Sequence, residues 1–319
     1  MDRNLALEFV RATESAAIAS SLQVGRGDKH KADDVAVKQL RSRLNALEFN
    51  GKVIIGEGEK DEAPMLFIGE KIGTGKGIEL EIAVDPLDGT DPAAEGGYGA
   101  SSMIALGPKN AFMHAPDGYI DSIAVGSEVG KKIDLDNEVE ENIRIIADCL
   151  GKKKSELNIA LLDRERNKEK IKKIRAAGAR TKLIMNCDTW EAIAAALPDY
   201  EVDALMGIGA TTEAVLTATA LKCLNGNIQG KLFFANDAQR KKAEKMNARF
   251  DKLELNDLCK TSEASFVATG VTNGTVLKGV RFTGQKIITH SVVMRCSSKT
   301  IRFIEGIHDE SILKHMVMK

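Results

Sequence analysis

Apolar residues recur at helical spacing near the start of the chain. Leu5, Phe9, Ala12, Ala16 and Ala19 fall on one face and predict a helix from about residue 3 to 20. A loop rich in glycine and charge runs from Gly25 to Lys31. Val37, Leu40, Leu44 and Leu47 then predict a second helix beginning near Asp33. The next apolar runs end abruptly in acid. Lys52–Ile55 reads as a strand stopping at Gly56-Glu57-Gly58-Glu59, and Glu79–Val84 as one stopping at Asp85-Pro86. Residues 99–106 and 119–125 read as further strands, so the first part is α/β.

The second part repeats strand and helix. Asn158–Leu162 is an apolar run, and a charged helix follows with Ile171, Ile174 and Ala177 as its stripe, closed by Gly178. Lys182–Met185 is a strand, and Thr189–Leu197 a helix stopped by Pro198. Val202–Ile208 is a strand, and Thr212–Leu224 a helix. This rhythm predicts a parallel sheet with its carboxyl ends on one edge, where ligands bind in open α/β sheets. The residues there are Asp163-Arg164-Glu165-Arg166, Asn186-Cys187-Asp188 and Gly207-Ile208-Gly209-Ala210. From about residue 264 the alternation predicts hairpin strands around Asn273-Gly274 and Gly279. A basic run at Lys152–Lys154 suggests a boundary between domains 1–153 and 154–319.

The densest chemistry is Asp85-Pro86-Leu87-Asp88-Gly89-Thr90. A strand delivers Asp85, Pro86 ends the ladder and turns the chain, and Asp88 returns beside Asp85 so that two carboxylates can share a cation. Gly89 admits a ligand close to the backbone, and Thr90 or Asp91 caps a following helix. A plain turn is the alternative. A calcium loop and an aspartyl-phosphate phosphatase motif both need other spacings. Glu57 and Glu59 read as a solvated loop taken alone and as metal ligands beside the Asp85 motif. Asp33 alone reads as a helix N-cap, and Lys29 as solvated. Arg164 and Arg166 fit a phosphate anchor or the exposed start of a charged helix. Asp188 fits an N-cap, Glu213 complements a helix dipole, and the cysteines and Trp190 fit packing.

Composition narrows the classes. Lys and Arg total 45 and Asp and Glu 46, a net charge of −1, which argues against a surface built for nucleic acid or anionic membrane. Aromatics at 4% leave little for stacking bases. No run approaches a membrane span, and Met1-Asp2-Arg3 leads into an amphipathic helix rather than a signal core. Five scattered cysteines without a Cys-x-x-Cys pair suggest a reducing, cytoplasmic compartment. With five histidines and no His-Glu-x-x-His, any metal must sit on carboxylates, which favours Mg²⁺ or Mn²⁺.

These segments, with Gly25-Arg-Gly-Asp-Lys29, Ala32-Asp33, Val53-Ile-Ile-Gly-Glu57-Gly-Glu59, Asp61-Glu-Ala-Pro-Met-Leu66, Ile82-Ala-Val-Asp85-Pro, Ala115-Pro-Asp117 with Tyr119, Gly207-Ile-Gly209, Glu213 and Ala268-Thr-Gly270, resemble the class II fructose-1,6-bisphosphatases nearly collinearly along the chain. That family belongs to the lithium-sensitive, metal-dependent sugar and inositol phosphatases. The resemblance implies a layered α/β/α/β/α sandwich, with an N-terminal metal-binding domain and a C-terminal substrate-binding domain. It implies hydrolysis of the 1-phosphate of fructose 1,6-bisphosphate, Mg²⁺ or Mn²⁺, and a homodimer or homotetramer with a small sugar bisphosphate as partner.

Carried over by position, Asp33 and Glu57 are implied for one metal, and Asp85, Asp88 and Glu213 for another. Asp88, Gly89 and Thr90 are implied for the scissile phosphate. Tyr119, Arg164, Glu165, Arg166, Asn186, Cys187, Asp188 and Ala210 are implied for the sugar and its distal phosphate. Thr90, bonded to Asp33, is implied to position the attacking water, with Glu57 in the catalytic set and Lys29 as a charged neighbour. Asp88, Asn186-Cys187 and Ala210 depart from the residues frequent in the family and bear on sugar preference. Alternatives are sedoheptulose 1,7-bisphosphate or an inositol monophosphate as substrate, and a non-catalytic sugar-phosphate sensor.

Overall fold

The computed structural model describes residues 5–56, 66–114, 118–245 and 248–311. The N-terminal elements are α1 (Leu5–Ser21), α2 (Lys29–Asn45), β1 (Asn50–Ile55), β2 (Lys71–Ile72), β3 (Glu79–Asp88), α3 (Thr90–Glu95) and β4 (Ser101–Gly107). The middle of the chain supplies β5 (Tyr119–Val125), α4 (Val139–Leu150), β6 (Asn158–Leu162), α5 (Lys168–Ala176), β7 (Arg180–Ile184) and α6 (Asp188–Ala194). It continues with β8 (Ala204–Ala210), α7 (Thr211–Leu224), β9 (Asn227–Phe233), α8 (Asp237–Lys245), β10 (Leu253–Glu254) and α9 (Leu255–Leu258). The C-terminal strands are β11 (Ser265–Gly270), β12 (Arg281–Thr283), β13 (Lys286–Arg295) and β14 (Thr300–Asp309). None of the described helices is long and apolar enough to cross a membrane.

The chain forms two compact units, one from residues 1–111 with 263–319 and the other from 112–262. This partition differs from a boundary at 153/154: Lys152–Lys154 merely joins α4 to β6 within the second unit, and the third stretch of chain returns to the first. A basic polar run marks an exposed connection, and an exposed connection need not separate two cores.

The first unit is a mixed sheet in the order β12-β13-β11-β4-β3-β1-β2, with β14 on β13. α1 and α2 cover one face. Phe9, Val10, Leu40 and Leu44 pack with Ile82, Val84, Ile104, Leu106 and Val267 in one buried cluster, each buried side chain contributing roughly 1.5–3 kcal/mol. Strand alternation sends Leu80, Ile82 and Val84 into this core and Glu81, Ala83 and Asp85 to the other face. α2 starts at Lys29, earlier than the apolar stripe suggests, because Asp28 caps it by accepting the Lys31 N–H at 2.9 Å. Only β13 and β14 alternate in part, since β11 is buried throughout and β12 exposed throughout, and the Asn273-Gly274 turn is not a hairpin of adjacent strands. β11 pairs with β4 and β13, and β13 pairs with β12 and β14.

The second unit is a mixed sheet in the order β10-β9-β5-β8-β6-β7. β6 runs parallel to both β7 and β8, as the strand–helix rhythm predicts. β5, read from sequence as part of the first α/β stretch, lies here instead, antiparallel to β8 and β9. α4 and α5 bury Ile143, Ile146, Ile171 and Ile174 against Ile159, Leu161 and Met206. α6 and α7 contact the same sheet but share none of that cluster, which places them on its other face. The order β7-β6-β8 makes the gap between β6 and β8 a topological switch point.

Candidate active site

In the first unit, β3 does not stop at Pro86. The ladder to β4 runs to Asp85↔Met103, skips, and resumes at Asp88↔Ser101. Two residues, Pro86 and Leu87, thus face one, Ser102. Proline lacks the N–H that a ladder needs, and a bulge absorbs it. The bulge brings Asp88 back beside Asp85, as the spacing suggested: both are buried, and their carboxylates lie within 4.8 Å of each other. Asp85 Oδ1 also accepts the Leu87 N–H at 3.1 Å. Two buried carboxylates this close resist joint ionisation unless a cation shares them, so the donor set fits a hard divalent ion.

Gly89 follows at φ +83°, the left-handed region a side chain disfavours, and lets Thr90 begin α3 directly. The loop Gly25–Gly27 is clasped to this short helix. The Gly25 and Gly27 N–H groups donate to Ala93 O at 3.0 Å and Ala94 O at 2.9 Å, and Lys29 Nζ pairs with Asp91 Oδ1 at 3.0 Å. The glycines were legible as a loop but not as this clasp, which ties the start of α2 to α3. Asp33 lies inside α2 and is not its cap, since Asp28 fills that role. Its Oδ1 is buried and accepts no hydrogen bond among the described residues, so a Thr90 hydroxyl does not reach that atom. Burial, with Asp34 adding to it and His30 opposing, raises the Asp33 carboxyl to about 6. A buried carboxylate oxygen with no donor among the described residues again fits a cation ligand. Glu57 and Glu59 lie outside the described residues.

The second unit carries the other group at the β6/β8 switch point. Arg164 and Arg166 follow β6 on a short 3₁₀ turn, with Glu165 exposed between them. They are not a loose, solvated helix start. Arg164 Nη2 donates to Asn186 Oδ1 at 2.8 Å. Arg166 Nε donates to Ile208 O at 3.0 Å, and its guanidinium sits 4.4 Å from the Tyr119 ring centre. Cys187, not Asp188, occupies the position before α6, in the left-handed region at φ 62°.

Asp188 opens α6 and is buried. Burial and the neighbouring Glu213 raise its carboxyl well above the ordinary range, while Arg166 pulls it down. Glu213, in the first turn of α7, accepts the Ala210 N–H at 3.2 Å. Gly209 leaves the space Asp188 needs, and Gly207, at φ +131°, leaves that needed by Asn167. Asn167 was not singled out from sequence, since a polar residue after a strand carries no signal of its own. Tyr119, Arg164, Arg166, Asn186, Asp188, Ala210 and Glu213 are thus gathered at one edge of one sheet. The cysteines form no disulfide among the described residues, all but Cys149 are buried, and Trp190 is core.

The model of the bacterial, glpX-encoded fructose-1,6-bisphosphatases matches residues 3–308. The class 2 fructose-1,6-bisphosphatase of Haemophilus influenzae is 42% identical, over 97% of this chain and 97% of its own. A Synechococcus protein named D-fructose 1,6-bisphosphatase class 2/sedoheptulose 1,7-bisphosphatase is 37% identical, over 97% of this chain and 96% of its own. The chain belongs to the glpX-encoded bacterial fructose-1,6-bisphosphatase family.

Proposed function

We propose that this protein hydrolyses the 1-phosphate of fructose 1,6-bisphosphate to fructose 6-phosphate and phosphate, a step of gluconeogenesis. The observation that carries the reading is the whole-length similarity to a relative named for this activity. Two chemically distinct groups support it: buried paired carboxylates in one unit, and two held arginines in the other.

In this reading Asp33, Asp85, Asp88, Glu57 and Glu213 are the carboxylates assigned to metal, Glu57 and Glu213 on the resemblance. Held by these residues, Mg²⁺ or Mn²⁺ would neutralise phosphate charge and lower the pKa of a water. Thr90 orients that water, and Gly89 admits the phosphate near the backbone. Lys29 adds positive charge beside α3. Arg164 and Arg166 grip the distal phosphate with planar donors, so that binding far from the reaction aligns the scissile ester. Tyr119, Glu165, Asn186, Cys187, Asp188 and Ala210 line the sugar. The first unit supplies most of the metal carboxylates and the second most of the sugar contacts. A cytoplasmic homodimer or homotetramer completes the proposal.

Phosphate release from fructose 1,6-bisphosphate, sedoheptulose 1,7-bisphosphate and inositol monophosphate, with Mg²⁺ or Mn²⁺ and with chelator, tests it. The fructose ester should be cleaved best and only with metal. No release from any bisphosphate would overturn the reading.

A further inference from the structure

We infer that Asn167 is a positioning residue: its side chain bridges the diverging ends of β6 and β8 and fixes the Ile208 backbone on which Arg166 rests. β6 and β8 pair only at Ile159↔Ala204 and Ala160↔Leu205. Beyond that point the strands part, and the Ile208 N–H and C=O face the β6 side with no strand opposite. Asn167, 1% exposed, takes the place of the missing strand. Its Oδ1 accepts the Ile208 N–H at 2.8 Å, and its Nδ2 donates to Ile208 O at 3.3 Å and Leu162 O at 3.1 Å.

The amide therefore satisfies both backbone groups of one residue and ties it to the end of β6. No other uncharged side chain of this size offers both an acceptor and two donors in one plane. The same Ile208 carbonyl receives Arg166 Nε, and Arg166 in turn lies over Tyr119. Gly207 completes the arrangement, because a Cβ there would stand 2.9 Å from Asn167 Oδ1. The consequence for substrate, that Asn167 acts on the distal phosphate only through Arg166, rests on the bisphosphatase reading; the seating of Arg166 does not.

Two measurements on the full chain test this. The first is solvent exchange of the Arg166 Nε–H, followed by ¹⁵N NMR and assigned by its loss in Arg166→Ala. Asn167→Ala should speed that exchange roughly tenfold or more while circular dichroism stays native. Asn167→Asp, which keeps the acceptor and loses both donations, should act in the same direction and serves if the alanine variant does not fold. Unchanged exchange in a folded variant would overturn the inference.

The second is a double-mutant cycle on KM for fructose 1,6-bisphosphate. Asn167→Ala should raise KM on the order of tenfold with kcat within about threefold, and should add little in the Arg166→Ala background. A purely structural role would give additive losses, mainly in active fraction, and would refute action through Arg166. If the wild type cleaves no bisphosphate, the functional reading fails and the exchange result alone decides the role of Asn167.

Discussion

A Cβ on Gly209 would lie 2.2 Å from Asp188 Oδ2. The last glycine of Gly207-Ile208-Gly209 therefore makes room for a buried acid on the neighbouring helix. Gly209→Ala must push Asp188 away or bend β8. We expect a loss of about 1–3 kcal/mol in stability and a clear rise in KM, read by thermal denaturation and phosphate release. A variant with native KM would show that Asp188 does not contact the sugar.

Thr90 begins α3 behind Gly89 and is only half-buried. Thr90→Ala should leave the melting temperature within about a degree, since the lost hydroxyl caps nothing. Turnover should fall roughly 10²–10⁴-fold, the range for a group that handles the reacting proton. Near-native rates would remove Thr90 from the mechanism.

Arg166→Ala should raise KM for a bisphosphate far more than for a monophosphate, because the proposed contact is to the distal phosphate. The expected loss is on the order of 1.5–3 kcal/mol, typical of a charge-assisted hydrogen bond. Equal effects on both substrate classes would contradict the anchoring role.

Asp33 sets a pH dependence in metal-free protein. Its folded pKa of about 6 stands above the ordinary 3.8. The folded state thus binds the proton more tightly than the unfolded state does. The stability this confers is complete below the unfolded value of 3.8 and is lost as pH rises through about 6. In chelator, Asp33→Asn should therefore melt higher than wild type at pH 7.5, with the difference shrinking toward pH 4. Calorimetry in EDTA across that range gives the answer, and added Mn²⁺ should reverse the order at pH 7.5.

Gly306 sits where a buried polar network crosses β14. A Cβ there would meet Thr289 Oγ1 at 2.5 Å, Glu14 Oε1 at 2.7 Å and His308 Nε2 at 2.8 Å. Thr289 donates to Glu14 and bonds His308, so none of these atoms moves without losing a partner. Gly306→Ala should cost about 1–3 kcal/mol of stability with kcat unchanged in the folded fraction.

The sequence by itself determined many of the elements, although α4, β9 and α8 are not among them. The stripes of α1 and α5, the runs of β1, β6 and β8, and the rhythm from β6 to α7 follow from side-chain periodicity, which depends on chain neighbours alone. It also determined the motifs, because the Asp85–Thr90 spacing has chemical meaning wherever it is placed. Only the tertiary structure decided which sheet each strand joins, so Tyr119 and β5 lie with the arginines despite their place early in the chain.

Tertiary structure alone likewise shows the bulge that carries β3 past Pro86, the left-handed Cys187, the buried Asp33 oxygen with no donor among the described residues, and the Asn167 bridge. The bulge depends on Ser102 across a ladder, and the bridge on an Ile208 backbone with no strand beside it. A residue's type states what it can bond. The packing of distant segments decides which bonds are left for it to make.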